Sequence, residues 1–111
     1  MNTFIDAVVA AFPEAAVDGA GFVKFKYEIP VGGRLGQVVE VALQAPGDYP
    51  LSCPPGPHVS PRLGHPHGNV HDSPLGAEWE YWSRPMPGWP QSGRTLPVYM
   101  AHLRTLFAQL P

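Results

Sequence analysis

The sequence predicts the α+β class, with helices set apart from an antiparallel sheet. Two stretches place apolar residues at every second position and are joined by a glycine-rich turn. A short apolar helical pattern stands ahead of Pro13, and a longer one closes the chain. No repeat is visible, and 111 residues suit one domain, 1–111.

The first helix is expected to take Thr3 as its N-cap, with Asp6 in the first turn, where the helix dipole favours negative charge. Phe4, Ile5, Val8, Val9 and Phe12 form its apolar face. Pro13 ends it, because the residue before a proline is pushed out of the α region. In the first strand, Val23, Phe25, Tyr27 and Ile29 share one face, while Lys24, Lys26 and Glu28 share the other. In the second, Val39, Val41 and Leu43 alternate with Glu40 and Gln44. Pro30, Gly32, Gly33 and Gly36 supply the turn between them, so an antiparallel hairpin is the shortest connection.

From Pro46 to Pro97 the chain carries 12 of its 15 prolines, four of its five histidines and all three tryptophans. Proline has no backbone donor, so this stretch is expected to be a loop-rich flap, neither central sheet nor long helix, with one short strand near Val59. Its three indole rings are expected to bring it back onto the hairpin. The final helix is the clearest: Leu96, Tyr99, Met100, Leu103, Leu106, Phe107 and Leu110 recur at helical spacing. Thr95 stands at its N-cap and Pro97 in its first turn, where no intrahelical donor is needed.

Composition narrows the function. With 44% hydrophobic and 11% aromatic residues, the chain has enough apolar side chain to build a core despite its proline and glycine. Only 14% of residues are charged and the formal net charge is −2. Two lysines and five scattered arginines do not make the basic patch that neutralises phosphates, so nucleic acid is not an expected partner. No apolar run reaches membrane-spanning length and no signal-peptide pattern opens the chain; a cytoplasmic protein is expected. The single cysteine, Cys53, excludes an internal disulfide and a thiolate-rich zinc site.

The chemistry-bearing residues lie in the flap. A strand pair is followed by Tyr49-Pro50, then Pro54-Pro55, then His65-Pro66 with a polar loop, then a helix. That order resembles the ubiquitin-conjugating (UBC) fold. Ser73-Pro74-Leu75-Gly76, Trp79-Glu80-Tyr81-Trp82-Ser83-Arg84, Trp89 and the closing amphipathic helix resemble bacterial families of that superfamily more narrowly. The resemblance spans nearly the whole chain in element order, with residue-level support from Tyr49 to Trp89. It implies a minimal UBC-like fold: N-terminal helix, antiparallel β-meander, Pro/His/Trp-rich flap and C-terminal helix. It also implies a place in a bacterial ubiquitin-like conjugation pathway. The partners implied are a ubiquitin-like protein, an adenylating activating enzyme and an isopeptidase; some related systems serve in phage defence. His65 and Pro66 match the superfamily's His-Pro-Asn motif, but His67 stands where the asparagine belongs. Asn69 takes that place if the loop shifts by two residues. The superfamily's catalytic cysteine lies downstream of this motif, and no cysteine follows Cys53.

Cys53 itself sits in the proline turn with no basic neighbour, so it reads as a small buried hydrophobe. Ser73 falls near the position of the missing cysteine. One reading makes it the acyl acceptor, forming an oxyester, with His71 first, or His67 or His65, as its base. Asn69 or a backbone amide would then steady the oxyanion. The other reading makes Asp72-Ser73-Pro74 an ordinary turn initiator. The resulting candidate set is Ser73, His71, Asn69 and His65. His58, His65, His67 and His71 with Asp72 have zinc-ligand chemistry, but their spacing matches no zinc motif, so neither metal nor cofactor is expected. His65 equally suits a bond to backbone, and His102 reads as surface. On a helical turn Trp79 and Trp82 would share a face. They read either as core or, with Arg84, as a binding groove for an extended tail. Arg84 also suits a bond to a carbonyl or to Asp72. The alternative function is a catalytically inactive UBC variant acting as a binding scaffold.

Overall fold

A computed structural model of the chain describes residues 3–111. Helix α1 (Thr3–Ala11) begins at Thr3 itself, so its N-cap lies outside the described residues. Phe4 and Val8 are fully buried and Ile5 half so, while Val9 lies at the rim. Phe12, just past the helix, stacks on Phe25 with ring centroids 4.2 Å apart.

A two-residue strand not foreseen from the sequence, β1 (Ala16–Val17), pairs with β2 (Phe22–Glu28), which pairs with β3 (Val38–Gln44). The predicted alternation holds: Val23, Phe25, Tyr27, Ile29, Val39, Val41 and Leu43 are all buried. The turn is closed by Ile29 N–H donating to Gln37 O and Gly36 N–H to Ile29 O.

The proline-rich middle is loop-rich as expected, but it also contributes strands to the sheet, which was not expected. It forms three more strands, β4 (His58–Ser60), β5 (Val70–Asp72) and β6 (Glu80–Trp82). The six strands run in the order β1-β2-β3-β4-β6-β5, every pair antiparallel. β4 is the short strand expected near Val59, but it lies in the interior of the sheet, where the prolines were expected to allow none. The reason is local: Pro57 and Pro61 flank β4 without entering it, so no ladder donor is lost. Proline density forbids a long strand here, not a three-residue one. β2, β3 and β4 form a meander; beyond them β5 takes the edge and β6 returns between β5 and β4. The segment thus extends the sheet sideways, and the loop between β5 and β6 turns back over the hairpin, with Trp79 against Lys24 of β2.

Helix α2 (Leu96–Ala108) starts at an extended Thr95, whose side chain makes no capping bond, and holds Pro97 in its first turn. Leu96, Tyr99, Leu103, Leu106 and Phe107 are buried on it. They join Phe4 and Val8 of α1 and the inward residues of the sheet in one core, so both helices cover the same face. The architecture is α+β: an N-terminal helix, a six-stranded antiparallel sheet and a C-terminal helix. No helix among the described residues is long and apolar enough to cross a membrane.

Two tryptophans complete that core. Trp82 is fully buried, 5.1 Å from the Phe107 ring. Trp89, in a 3-10 turn (Trp89–Gln91), donates its indole N–H to Pro50 O at 3.1 Å and ties down the Tyr49-Pro50 turn. Trp79 differs. Trp79 follows a turn closed by its own N–H on Gly76 O and leads directly into extended β6, so it and Trp82, three residues apart, point to opposite faces. Trp79 is half-buried, with Lys24 Nζ 5.6 Å from its ring centre. The expectation that Trp79 and Trp82 share a face is corrected accordingly.

Candidate functional site

On the sheet face away from the helices, strand register brings Lys24, Ala42, His58, Tyr81 and His71 into one row. Such a face is ordinarily solvated, yet Phe22, Ala42 and His58 are buried. The loop between β5 and β6 covers this region: Ser73 meets His58, Trp79 meets Lys24, and Ala77 O accepts from Arg62 Nε.

Ser73 Oγ lies 2.8 Å from His58 Nδ1. The same oxygen accepts Leu75 N–H at 3.1 Å, and Ser73 O accepts Gly76 N–H. The turn reading of Asp72-Ser73-Pro74 is thus realised, and a histidine is set on the hydroxyl as well. His58 stacks on Tyr81 (4.6 Å, 26° between planes) and meets Phe22 edge-on at 4.9 Å. Burial among these rings lowers its pKa from 6.5 to about 4, since the protonated ring would lose its hydration. At neutral pH the imidazole is therefore uncharged. Because Oγ already accepts from Leu75, its own hydrogen is best placed on Nδ1.

The histidine facing Ser73 is therefore His58, not His71. His71 is exposed on the edge strand, its ring 6.2 Å from Tyr81. Asn69 stands at the other end of β5, in left-handed backbone (φ 56°) with its carbonyl accepting Ser83 N–H. Four extended residues span about 13 Å, too far for Asn69 to steady an oxyanion on Ser73. His65 is committed elsewhere: Nε2–H donates to Leu106 O at 3.0 Å, and Nδ1 accepts His67 N–H. That arrangement fixes its neutral tautomer and pins the loop to α2. Burial, foremost, lowers its pKa, while the bond to Leu106 opposes the shift. The candidate set therefore separates into Ser73 on one side and Asn69 and His65 toward α2.

Arg84 does bond a carbonyl, Gly68 O at 2.8 Å, while Asp72 pairs instead with Arg62 at 3.0 Å. His102 is not mere surface; it is half-buried and donates Nε2–H to Arg84 O at 2.9 Å. Cys53 is a free thiol packed against the core. Among the described residues no group of three or more His, Cys, Asp or Glu is placed to hold a metal.

Two important residues escaped the sequence reading. His58 was weighed only as a zinc ligand, although alternation through His58-Val59-Ser60 opposes its face to Val59. Glu80 gave no signal. It is 2% exposed, and its Oε2 accepts Trp82 Nε1–H at 2.6 Å, Gly64 N–H at 2.8 Å and Leu63 N–H at 3.1 Å. One carboxylate oxygen thereby joins β6 to the loop after β4. No family model, curated protein or solved structure matches this chain.

Proposed function

We propose that this chain is a UBC-like module that accepts or positions the C-terminus of a ubiquitin-like protein, with the Ser73 hydroxyl as acceptor. The supporting architecture is the N-terminal helix, the β2-β3-β4 meander and the C-terminal helix. The single observation that carries the acceptor role is the 2.8 Å contact between Ser73 Oγ and a neutral imidazole. In the transfer, Oγ attacks the thioester carbonyl presented by an activating enzyme. The hydroxyl proton passes to His58 Nδ1, the C–S bond breaks, and the departing thiolate takes that proton back. The product is a Ser73 oxyester and a free thiol on the activating enzyme.

A second reading, a binding scaffold without catalysis, is favoured by two details of the same site. Ser73 Oγ is already engaged by Leu75 N–H, and an imidazole with a pKa near 4 is a weak base at neutral pH. Incubation with an activating enzyme, ATP and a ubiquitin-like protein separates the two. Acceptor chemistry yields an adduct that survives thiol reductant, is cleaved by hydroxylamine and is absent in Ser73→Ala. His58→Gln slows its formation by about tenfold or more. Stoichiometric binding without adduct establishes the scaffold, and an adduct lost only in Cys53→Ala overturns the serine assignment.

A further inference from the structure

Away from Ser73, a cleft of about 560 Å³ opens between the Gly68-Asn69 turn, the chain leaving β6 and the last turns of α2. Part of its polar lining is unpaired within the chain. The side chains of His58, His65 and Glu80 are all hydrogen-bonded within the chain. Among the described residues, those of His67, Asn69, Ser83 and Gln109, which line the cleft, are not. All four carry or can present an N–H or O–H donor.

Arg84 is held at the same cleft from three sides. Its Nη2 donates to Gly68 O, its main-chain N–H to Trp82 O, and its carbonyl accepts from His102. Its Nε is buried without a partner. The guanidinium is oriented by its Nη2 bond to Gly68 O, and its Nη1 makes no hydrogen bond among the described residues. No Asp or Glu lies among the described lining residues, although the chain's formal charge is −2. The neighbouring end of α2 would ordinarily repel an anion. There, however, Leu106 O already accepts both His65 Nε2–H and Gln109 N–H. A second, mainly apolar hollow of about 410 Å³, floored by Met86 and Val98, adjoins the cleft and shares Pro87 and His102 with it.

From this arrangement we infer that the cleft binds a small organic anion. Its carboxylate or phosphate head takes the free donors around Arg84, and its apolar body rests in the hollow past Pro87. Guanidinium matches both heads through paired N–H donors. The site is independent of the acceptor chemistry at Ser73.

The test is an amide NMR titration of the full chain with benzoate and with phenyl phosphate, at constant ionic strength, with benzyl alcohol as the neutral control. Saturable shifts are expected at Gly68, Asn69, Ser83 and the end of α2, with either anion and not with the alcohol. The tighter of the two anions identifies the head group. Arg84→Gln weakens binding roughly tenfold or more. Because Arg84 also secures Gly68, the exposed Gln109 provides a second arm: Gln109→Glu weakens binding about threefold and Gln109→Lys strengthens it. Ser73→Ala leaves the affinity unchanged. Absence of saturable shifts, shifts reproduced by sodium chloride alone, or indifference to the charge at residue 109 overturns the inference.

Discussion

Among single residues, Glu80 bears the clearest structural responsibility. Its carboxylate serves three donors, the buried indole N–H of Trp82 and the part-buried N–H groups of Leu63 and Gly64, and no cation compensates it by a salt bridge among the described residues. Removing it leaves three orphaned N–H groups, so Glu80→Ala is expected to cost about 3 kcal/mol. Glu80→Gln, which keeps an acceptor but not the charge, is expected to cost about 1–2 kcal/mol. Urea unfolding measures both; an Ala variant within 1 kcal/mol of the parent (about the value of one ordinary hydrogen bond) would mean that water reaches those donors. Tyr99 is the contrasting case, a fully buried hydroxyl without a partner, whose pKa burial raises. The sequence marked Tyr99 as core correctly, since its ring follows the helical period; its orphaned oxygen is visible only in three dimensions.

Four of the six strands have only two or three residues, and their placement depends on close backbone approach. Gly56, just before β4, lies so near β6 that an added Cβ would fall on Trp82 O and come within 3.0 Å of Arg84 N. Neither atom is the tip of a flexible side chain, so the β4-β6 pairing must open to accommodate even a methyl group. Gly56→Ala is expected to destabilise the fold by about 2 kcal/mol or more. Amide hydrogen exchange should show the loss first at Trp82, which donates to Pro57 O. Trp89 acts at the same level, its indole bond to Pro50 joining the segment before α2 to the turn after β3. β2 and β3 were legible because seven residues each display a full alternation. β4, β5 and β6 have three residues each, too few to express a period.

For the molecule as a whole, the buried imidazoles set a dependence on acidity. The folded pKa of His58 is about 4 and its ordinary value 6.5, so between those values the unfolded chain binds more protons. Stability is full above about pH 6.5, falls as the pH drops toward 4, and levels off below that as far as His58 is concerned. The loss is on the order of 3 kcal/mol at most. His65, also lowered, acts in the same direction. Urea unfolding across this range should show a shallower slope for His58→Phe than for the parent; equal slopes would place the acid sensitivity elsewhere. The proline-rich segment does not protrude: the radius of gyration is 13.1 Å, near the roughly 13 Å expected for a compact chain of about 100 residues.

Local order determined what was readable beforehand. Both helices, the hairpin, the buried faces of β2, β3 and α2, and a short strand near Val59 follow from side-chain period and proline position, which neighbouring residues carry among themselves. The folded chain alone decided that β6 pairs with β4, that Glu80 is enclosed, and that His58 rather than His71 meets Ser73. Those outcomes join residues 15 to 17 positions apart, or strands on either side of a loop. A ladder partner is selected by competition among all available edges, and a short segment carries no record of which edge wins.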